Sequence, residues 1–183
     1  MASLKRWNEK YEKEYCHMLF TPRICKDLLE SEWVKNIPSK LISESIFIYG
    51  KTGKGKTILA CKLLLDLIKK DYFSHSIGTY NFISIPVLMQ QLKEGFQNNI
   101  GDKILSNLNI VDILVLDEFG FTKPSDWALQ ILYLLINHRY EQGKQTIITS
   151  NNDLDTVAKI FGDDRITSRI ERSYHLIHKS KLY

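Results

Sequence analysis

Residues 50–57 read Gly50-Lys51-Thr52-Gly53-Lys54-Gly55-Lys56-Thr57, which fits the pattern G-x-x-x-x-G-K-[ST]. Residue types at this spacing suit the capture of phosphate. Glycines let backbone N–H groups turn inward around phosphate oxygens without Cβ clashes. A helix starting at the end of the loop adds a partial positive charge. Lys56 is placed to reach the β- and γ-phosphates of ATP, and the Thr57 hydroxyl to ligate Mg²⁺. The expected nucleotide-binding set is Gly50, Lys51, Thr52, Gly53, Lys54, Gly55, Lys56, Thr57 and Ile58. Within it, Lys51 and Lys54 read either as extra loop cations or as solvated charges. The motif identifies a nucleotide site but no reaction.

The second half of such a site is a strand that ends in an acid. The run VDILVLD is continuous, apolar and β-branched, and it ends at Asp117. Asp117 is the candidate that holds Mg²⁺ through water. Glu118, directly after it, suits a general base that polarises an attacking water. A small-molecule kinase has less need of that acid, because its acceptor supplies the nucleophile. The run QTIITS, later in the chain, reads as another central strand and is followed by Asn151 and Asn152. Asn151, or alternatively Asn152, is placed to orient the water beside the γ-phosphate. Asn152 and Asp153 also suit a turn or a helix cap.

These residues need a scaffold, and the pattern of the chain supplies one. SIFIY, TYNFISI, VDILVLD, QTIITS and YHLIHK read as strands. Helical stretches separate them: residues 58–70, residues 86–96 with Leu88, Met89, Leu92 and Phe96 on one face, residues 125–140, and residues 154–170 with a break near Gly162. Ser125 is the expected cap of the third and Gly143 its stop. Alternation of this kind predicts a parallel sheet with helices on both faces. One extra strand falls between the loop strand and the acid strand.

Residues 1–43 differ from the rest and form a short helical arm ahead of a core over residues 44–183. Leu4, Trp7, Tyr11, Tyr15 and Met18 recur at helical spacing. Thr21-Pro22 reads as a helix start, a second helix runs toward Trp33, and Ile37-Pro38-Ser39 breaks it. The pair either packs on the core or serves as a partner-binding segment.

Composition excludes several classes. Hydrophobic content of 44% and charged content of 25% over 183 residues are ordinary for a globular protein. A net charge of +4 permits contact with nucleic acid without demanding it. Cys16, Cys25 and Cys61 form no C-x-x-C pair, and Cys16, His17 and Cys25 fit no standard zinc spacing. The first 15 residues are too polar for a signal peptide, and no apolar run reaches the length of a membrane span. A cytoplasmic protein without membrane contact is expected. His75, His138, His175 and His178 read as surface residues.

The segments YNFISIPVLMQQLKEGF, VDILVLDEFG, LYLLINHRYEQGKQTIITSNN and DDRITSRI, in this order after the phosphate loop, resemble the AAA+ ATPases. More narrowly they resemble the replicative helicase loaders of the DnaC/DnaI type and the related IstB transposition ATPases. The resemblance covers residues 46–172. It implies an α/β fold, the P-loop NTPase three-layer αβα sandwich of ASCE type, with parallel strands in order 5-1-4-3-2 and a reduced or absent C-terminal lid. It also implies ATP binding and slow hydrolysis. The implied assembly is a ring or spiral that grips a replicative DNA helicase and places it on single-stranded DNA. The alternative is an IstB-like ATPase that assembles on DNA and engages a transposase.

The resemblance also gives a role to the stretch GDDRITSRIER. Taken alone, Arg165, Arg169 and Arg172 share a helical face that Asp163, Asp164 and Glu171 balance. In the family, the position of Arg169 carries an arginine finger that enters a neighbouring subunit's ATP site. Arg165 is a second candidate there. Arg139 is either a third interface residue or a helix-end cation. Lys179 and Lys181 are candidate DNA contacts.

Overall fold

A computed structural model describes residues 9–30, 44–74, 76 and 78–179. The expectations for Leu4, Trp7, Trp33, Ile37-Pro38-Ser39, His75 and Lys181 lie outside the described residues. Five parallel strands form one sheet: β1 (Ser45–Tyr49), β2 (Tyr80–Ser84), β3 (Ile113–Phe119), β4 (Gln145–Ser150) and β5 (Tyr174–His178), in spatial order β2-β3-β4-β1-β5. This is the expected order 5-1-4-3-2 read from the opposite edge.

The apolar runs form strands because both faces of the sheet are covered. Alternate residues feed two cores. Ile46, Ile48, Ile113, Val115 and Ile147 face helices α1 (Glu9–Leu19), α2 (Pro22–Glu30) and α3 (Lys56–Ser74). Phe47, Leu114, Leu116 and Ile148 face the opposite layer. That layer contains α4 (Ile85–Gln97), α5 (Gly101–Ile110), α6 (Asp126–Glu141), α7 (Leu154–Phe161) and α8 (Arg165–Ser173). The carboxyl ends of β1, β4 and β3 are adjacent, so the phosphate loop, the Asn151 turn and Asp117 meet at one edge. Open α/β sheets bind ligands outside that edge.

Local chemistry sets the helix ends. Ser125 Oγ accepts from the Ala128 N–H at 3.3 Å, and Asp153 Oδ1 accepts from the Thr156 N–H at 2.8 Å. Gly162 takes a left-handed conformation (φ 69°) and divides α7 from α8. The sequence reading allowed a single helix between β2 and β3, whereas the chain makes two. They lie so close that a Cβ on Gly101 would sit 2.5 Å from the Phe96 ring.

Helices α1 and α2 lie on the core. Cys16, Phe20, Cys25 and Leu28 share one apolar cluster with Cys61, Leu64 and Ile68 of α3. Phe20 meets Phe82 edge-on at 5.4 Å between ring centroids. Met18, expected on the apolar stripe, is 68% exposed. The inward positions are Cys16 and Phe20, so the stripe is rotated from the expected one. Among the described residues, no group of three or more metal-ligating side chains converges, and no helix is long and apolar enough to cross a membrane.

Arg139 requires a correction. It lies in the last turn of α6, as the helix-end reading had it, but it is fully buried (0% exposed) and so is not an interface residue. Its guanidinium donates to the carbonyls of Leu108 (2.7 Å), Val111 (2.9 Å) and Gln145 (2.6 Å), and to Thr146 Oγ1 (2.9 Å). Burial pulls its pKa down to about 10. The side chain ties the end of α5 to α6 and to the start of β4, where a planar fork can satisfy several carbonyls at once.

Candidate functional site

Strand β1 ends at Tyr49, α3 begins at Lys56, and the loop between them turns on three glycines with positive φ. These are Gly50 (142°), Gly53 (76°) and Gly55 (77°). At Gly50 the need is also steric. A Cβ there would meet the Lys179 carbonyl oxygen at 2.3 Å, and the Lys179 N–H donates to the Tyr49 carbonyl at 2.7 Å. The chain leaving β5 thus crosses directly against the start of the loop. Around Gly53 a Cβ would meet nothing within 4 Å, because that position faces the open cleft.

Lys56 is 8% exposed, and its Nζ donates to the Lys51 carbonyl (3.0 Å) and to Asn151 Oδ1 (2.8 Å). Burial lowers its pKa, and Asp117 partly offsets that. Both hydrogen-bond acceptors are neutral. An ammonium has three N–H donors, so one remains for a ligand. The Thr57 hydroxyl donates to Asp117 Oδ1 at 2.9 Å. Asp117 is 7% exposed and also accepts from the Thr149 hydroxyl. Thr149 in turn accepts from the Glu118 N–H at 3.2 Å. The sequence reading missed Thr149, whose only signal is a hydroxyl on the strand next to Asp117.

Glu118 has φ 60°, and the β3–β4 register shifts between Leu116 and Phe119. A left-handed non-glycine residue at a strand bulge is uncommon and concentrates at functional sites. Its consequence is geometric: Asp117 is buried while the next side chain, Glu118, is exposed, and both line the same cleft. Asn152 is turned elsewhere, donating to the Gly120 carbonyl at 2.9 Å, so Asn151 is the amide beside Lys56.

The cleft has a volume of about 690 Å³. Thr52, Gly53, Gly55, Lys56, Thr57, Ile58, Asp117, Glu118 and Asn151 line it; Gly50, Lys51 and Lys54 do not. A further wall is formed by Thr21 and by Arg23, Ile24 and Asp27 of α2. Nothing in the spacing of the N-terminal region pointed to that wall. The size suits a nucleotide. A buried ammonium with neutral partners fits a phosphate, and a hydroxyl and a carboxylate converging at 2.9 Å are hard oxygen donors of the kind Mg²⁺ takes.

Arg165 and Arg169 are not in this cleft. They lie on α8 against α6, each guanidinium 4.9 Å from the centroid of the Tyr133 ring. Arg172 is exposed on the same helix. His138, His175 and His178 are exposed, and His178 stacks on Tyr49 at 5.0 Å.

Comparison with known proteins agrees with this arrangement. The family model of the IstB-like ATP binding proteins matches residues 1–182. The replicative helicase loader DnaI of Bacillus subtilis is 24% identical over 119 residues, covering 64% of this chain and 36% of that protein. An insertion sequence IS21 ATP-binding protein of Pseudomonas aeruginosa is 28% identical over 134 residues, covering 73% of this chain and 48% of that protein. The chain therefore spans between a third and a half of the length of these relatives. The crystal structure of the DnaC helicase loader superposes with a TM-score of 0.66 at 24% identity, over 98% of this chain and 97% of that one. It carries the same fold, that of the P-loop AAA+ proteins. With its phosphate loop, acid strand and strand order in place, the chain belongs to the family of IstB-like ATP-binding proteins.

Proposed function

We propose that the chain hydrolyses ATP slowly, as an oligomer, and uses the nucleotide to load a replicative ring helicase onto single-stranded DNA. The observation that carries the ATPase reading is the convergence of Lys56, Asn151, Thr57, Asp117 and Glu118 at one sheet edge. The third N–H of Lys56 would be available to the γ-phosphate. Thr57 would hold Mg²⁺ directly and Asp117 through water, and the ion would neutralise phosphate charge. Glu118, exposed beside the buried Asp117, takes a proton from the attacking water, and Asn151 orients that water. The residues of α2 that line the cleft, Arg23, Ile24 and Asp27, would then be available to the nucleoside end.

The triphosphate sits in an open cleft that holds no arginine from its own α8. We assign Arg169, with Arg165 beside it, to the nucleotide of a second copy. A cation supplied across an interface makes turnover depend on assembly, and such arginines raise rates by about 10³–10⁵ in other NTPases. ATP then favours contact between copies, and hydrolysis weakens it. The second reading, an ATPase that assembles on DNA and engages a transposase, draws support from the 28% identity to the IS21 protein.

The test is retention of a ring helicase from the same host on a single-stranded oligonucleotide, with and without ATP. Retention that requires ATP and both proteins is the expected result. ATP-dependent binding to duplex DNA, with no helicase retained, would overturn the loader reading in favour of the transposition one. Unchanged ATP hydrolysis in Glu118→Gln would overturn the assigned chemistry in both.

A further inference from the structure

We propose that Tyr133 and Asn137 of α6 position Arg169 as the cation offered to the second copy's triphosphate, and that Arg165 is a buttress rather than the finger. The inference rests on the proposed reading of an arginine acting across an interface.

The partners of the two guanidiniums differ in charge. Arg165 is occupied by Asp163: its Nε donates to both carboxylate oxygens (3.1 and 2.9 Å) and its Nη2 to one of them (2.6 Å). The arginine holds the Asp163 carboxyl below the usual range. Three of its N–H groups stay free, but its charge is already balanced by that carboxylate, so it draws a second anion less strongly. Arg169 has only neutral partners. Its Nε donates to Asn137 Oδ1 (2.6 Å), its Nη2 to the Tyr133 hydroxyl (3.1 Å) and its Nη1 to the Arg165 carbonyl (2.8 Å). A guanidinium carries five N–H groups, so one remains on each terminal nitrogen, and the charge is uncompensated.

The supports are themselves held. Tyr133, Asn137 and Glu141 are spaced four apart and share a face of α6. Asn137 Nδ2 donates to Glu141 Oε1 at 2.8 Å, which turns Oδ1 toward Arg169. Tyr133 packs on the core cluster that includes Ile166 and Ile170 of α8. The two guanidiniums at 4.9 Å from its ring centroid keep the ring from turning. Asp163 offsets the repulsion that two cations on one ring would create. The residue of interest in the stretch NHRY is thus Asn137, not the buried Arg139.

The experiment measures kcat and KM for ATP hydrolysis at a fixed high protein concentration. Five variants are compared: Arg169→Ala, Arg165→Ala, Asn137→Ala, Asn137→Asp and Tyr133→Ala. Arg169→Ala should nearly abolish kcat. Asn137→Ala and Tyr133→Ala should lower it by about tenfold to a hundredfold through misplacement of the arginine, with KM unchanged. Asn137→Asp is the decisive variant. It keeps an acceptor for Nε, yet it neutralises Arg169 and should lower kcat at least as far as Asn137→Ala, with circular dichroism showing the fold retained. Arg165→Ala should cost less than Arg169→Ala.

Full kcat in Asn137→Ala and Tyr133→Ala together with loss in Arg169→Ala would overturn the positioning role, full kcat in Asn137→Asp would overturn the need for neutral partners, and both would leave the interface reading standing. A larger loss in Arg165→Ala than in Arg169→Ala would reverse the assignment of the finger. Full kcat in Arg169→Ala would overturn the interface reading itself.

Discussion

Thr149 is the hydroxyl on which the acid pair turns. It donates to Asp117 and accepts from the backbone of Glu118, so it fixes both acids at once. Removing a hydrogen bond to a charged group costs about 1.5–3 kcal/mol. If that loss is felt in the transition state, it corresponds to about a tenfold to hundredfold fall in kcat. Thr149→Val should show it in steady-state hydrolysis, and Thr149→Ser should restore most of the rate. Arg139 is a stability residue. Removing it strands the carbonyls of Leu108, Val111 and Gln145, and a buried polar group left without its partner costs about 1–3 kcal/mol. Urea unfolding of Arg139→Met should reveal that loss, and Arg139→Lys should not rescue it, because one ammonium cannot reach all the acceptors. The contrast explains what was legible at this scale. Lys56 and Thr57 belong to a loop motif of fixed spacing, and Asp117 and Asn151 stand at the ends of apolar runs that read as strands. Thr149 and Arg139 act through strand register and through helices brought together from different parts of the chain. Neither belongs to a motif of fixed spacing, so no local pattern marks them.

Helix α2 links the N-terminal region to the site. Its inner residues Cys25 and Leu28 join the core, while Arg23, Ile24 and Asp27 face the cleft. Phe20, at the turn before it, is 7% exposed, and Phe20→Ala should cost about 3–5 kcal/mol in urea titration. Deleting residues 1–43 would therefore damage the core as well as any partner contact. Exposed positions such as Met18 give cleaner tests of partner binding. The start of the loop is similarly coupled to β5. In Gly50→Ala the new methyl meets the Lys179 carbonyl, and φ 142° strains the backbone as well. Titration with a fluorescent ATP analogue should show strongly weakened binding by that variant. Element types were readable because long apolar runs and capped amphipathic stretches differ in period. The split between α4 and α5 was not, since it depends on Phe96 covering Gly101, a contact made in three dimensions. Nor was the rotation of α1, because tyrosines on its flank mimic an inward stripe while Cys16 and Phe20 fill the core.

Across the whole molecule, the sheet order brings loop, acid and amide to one edge and leaves the arginines of α8 outside it. That order was legible from the sequence of elements together with the family resemblance, because parallel crossovers permit few alternatives. The far ends of the strands carry a clamp of their own. Asp112 accepts from Lys144 Nζ (2.7 Å) and from the Thr79 N–H (2.9 Å), joining the β2, β3 and β4 connections. The Lys144 hydrogen bond first, then that of the Thr79 N–H, lowers the Asp112 pKa from 3.8 to about 2. The folded protein therefore binds fewer protons than the unfolded chain in that window. The stabilisation is complete above about pH 5 and is lost as pH falls from about 4 to 2. The stability difference between the parent and Asp112→Asn should shrink over that range in acid unfolding followed by circular dichroism. The central claim concerns two copies rather than one: an intact cleft on one chain needs Arg169 of another. Its most direct test is phosphate release from an equimolar mixture of Glu118→Gln, which keeps the arginine, and Arg169→Ala, which keeps the cleft. Each variant alone should be nearly inactive and the mixture should regain turnover. A mixture no faster than its separate components, or full activity in Arg169→Ala alone, would contradict the claim.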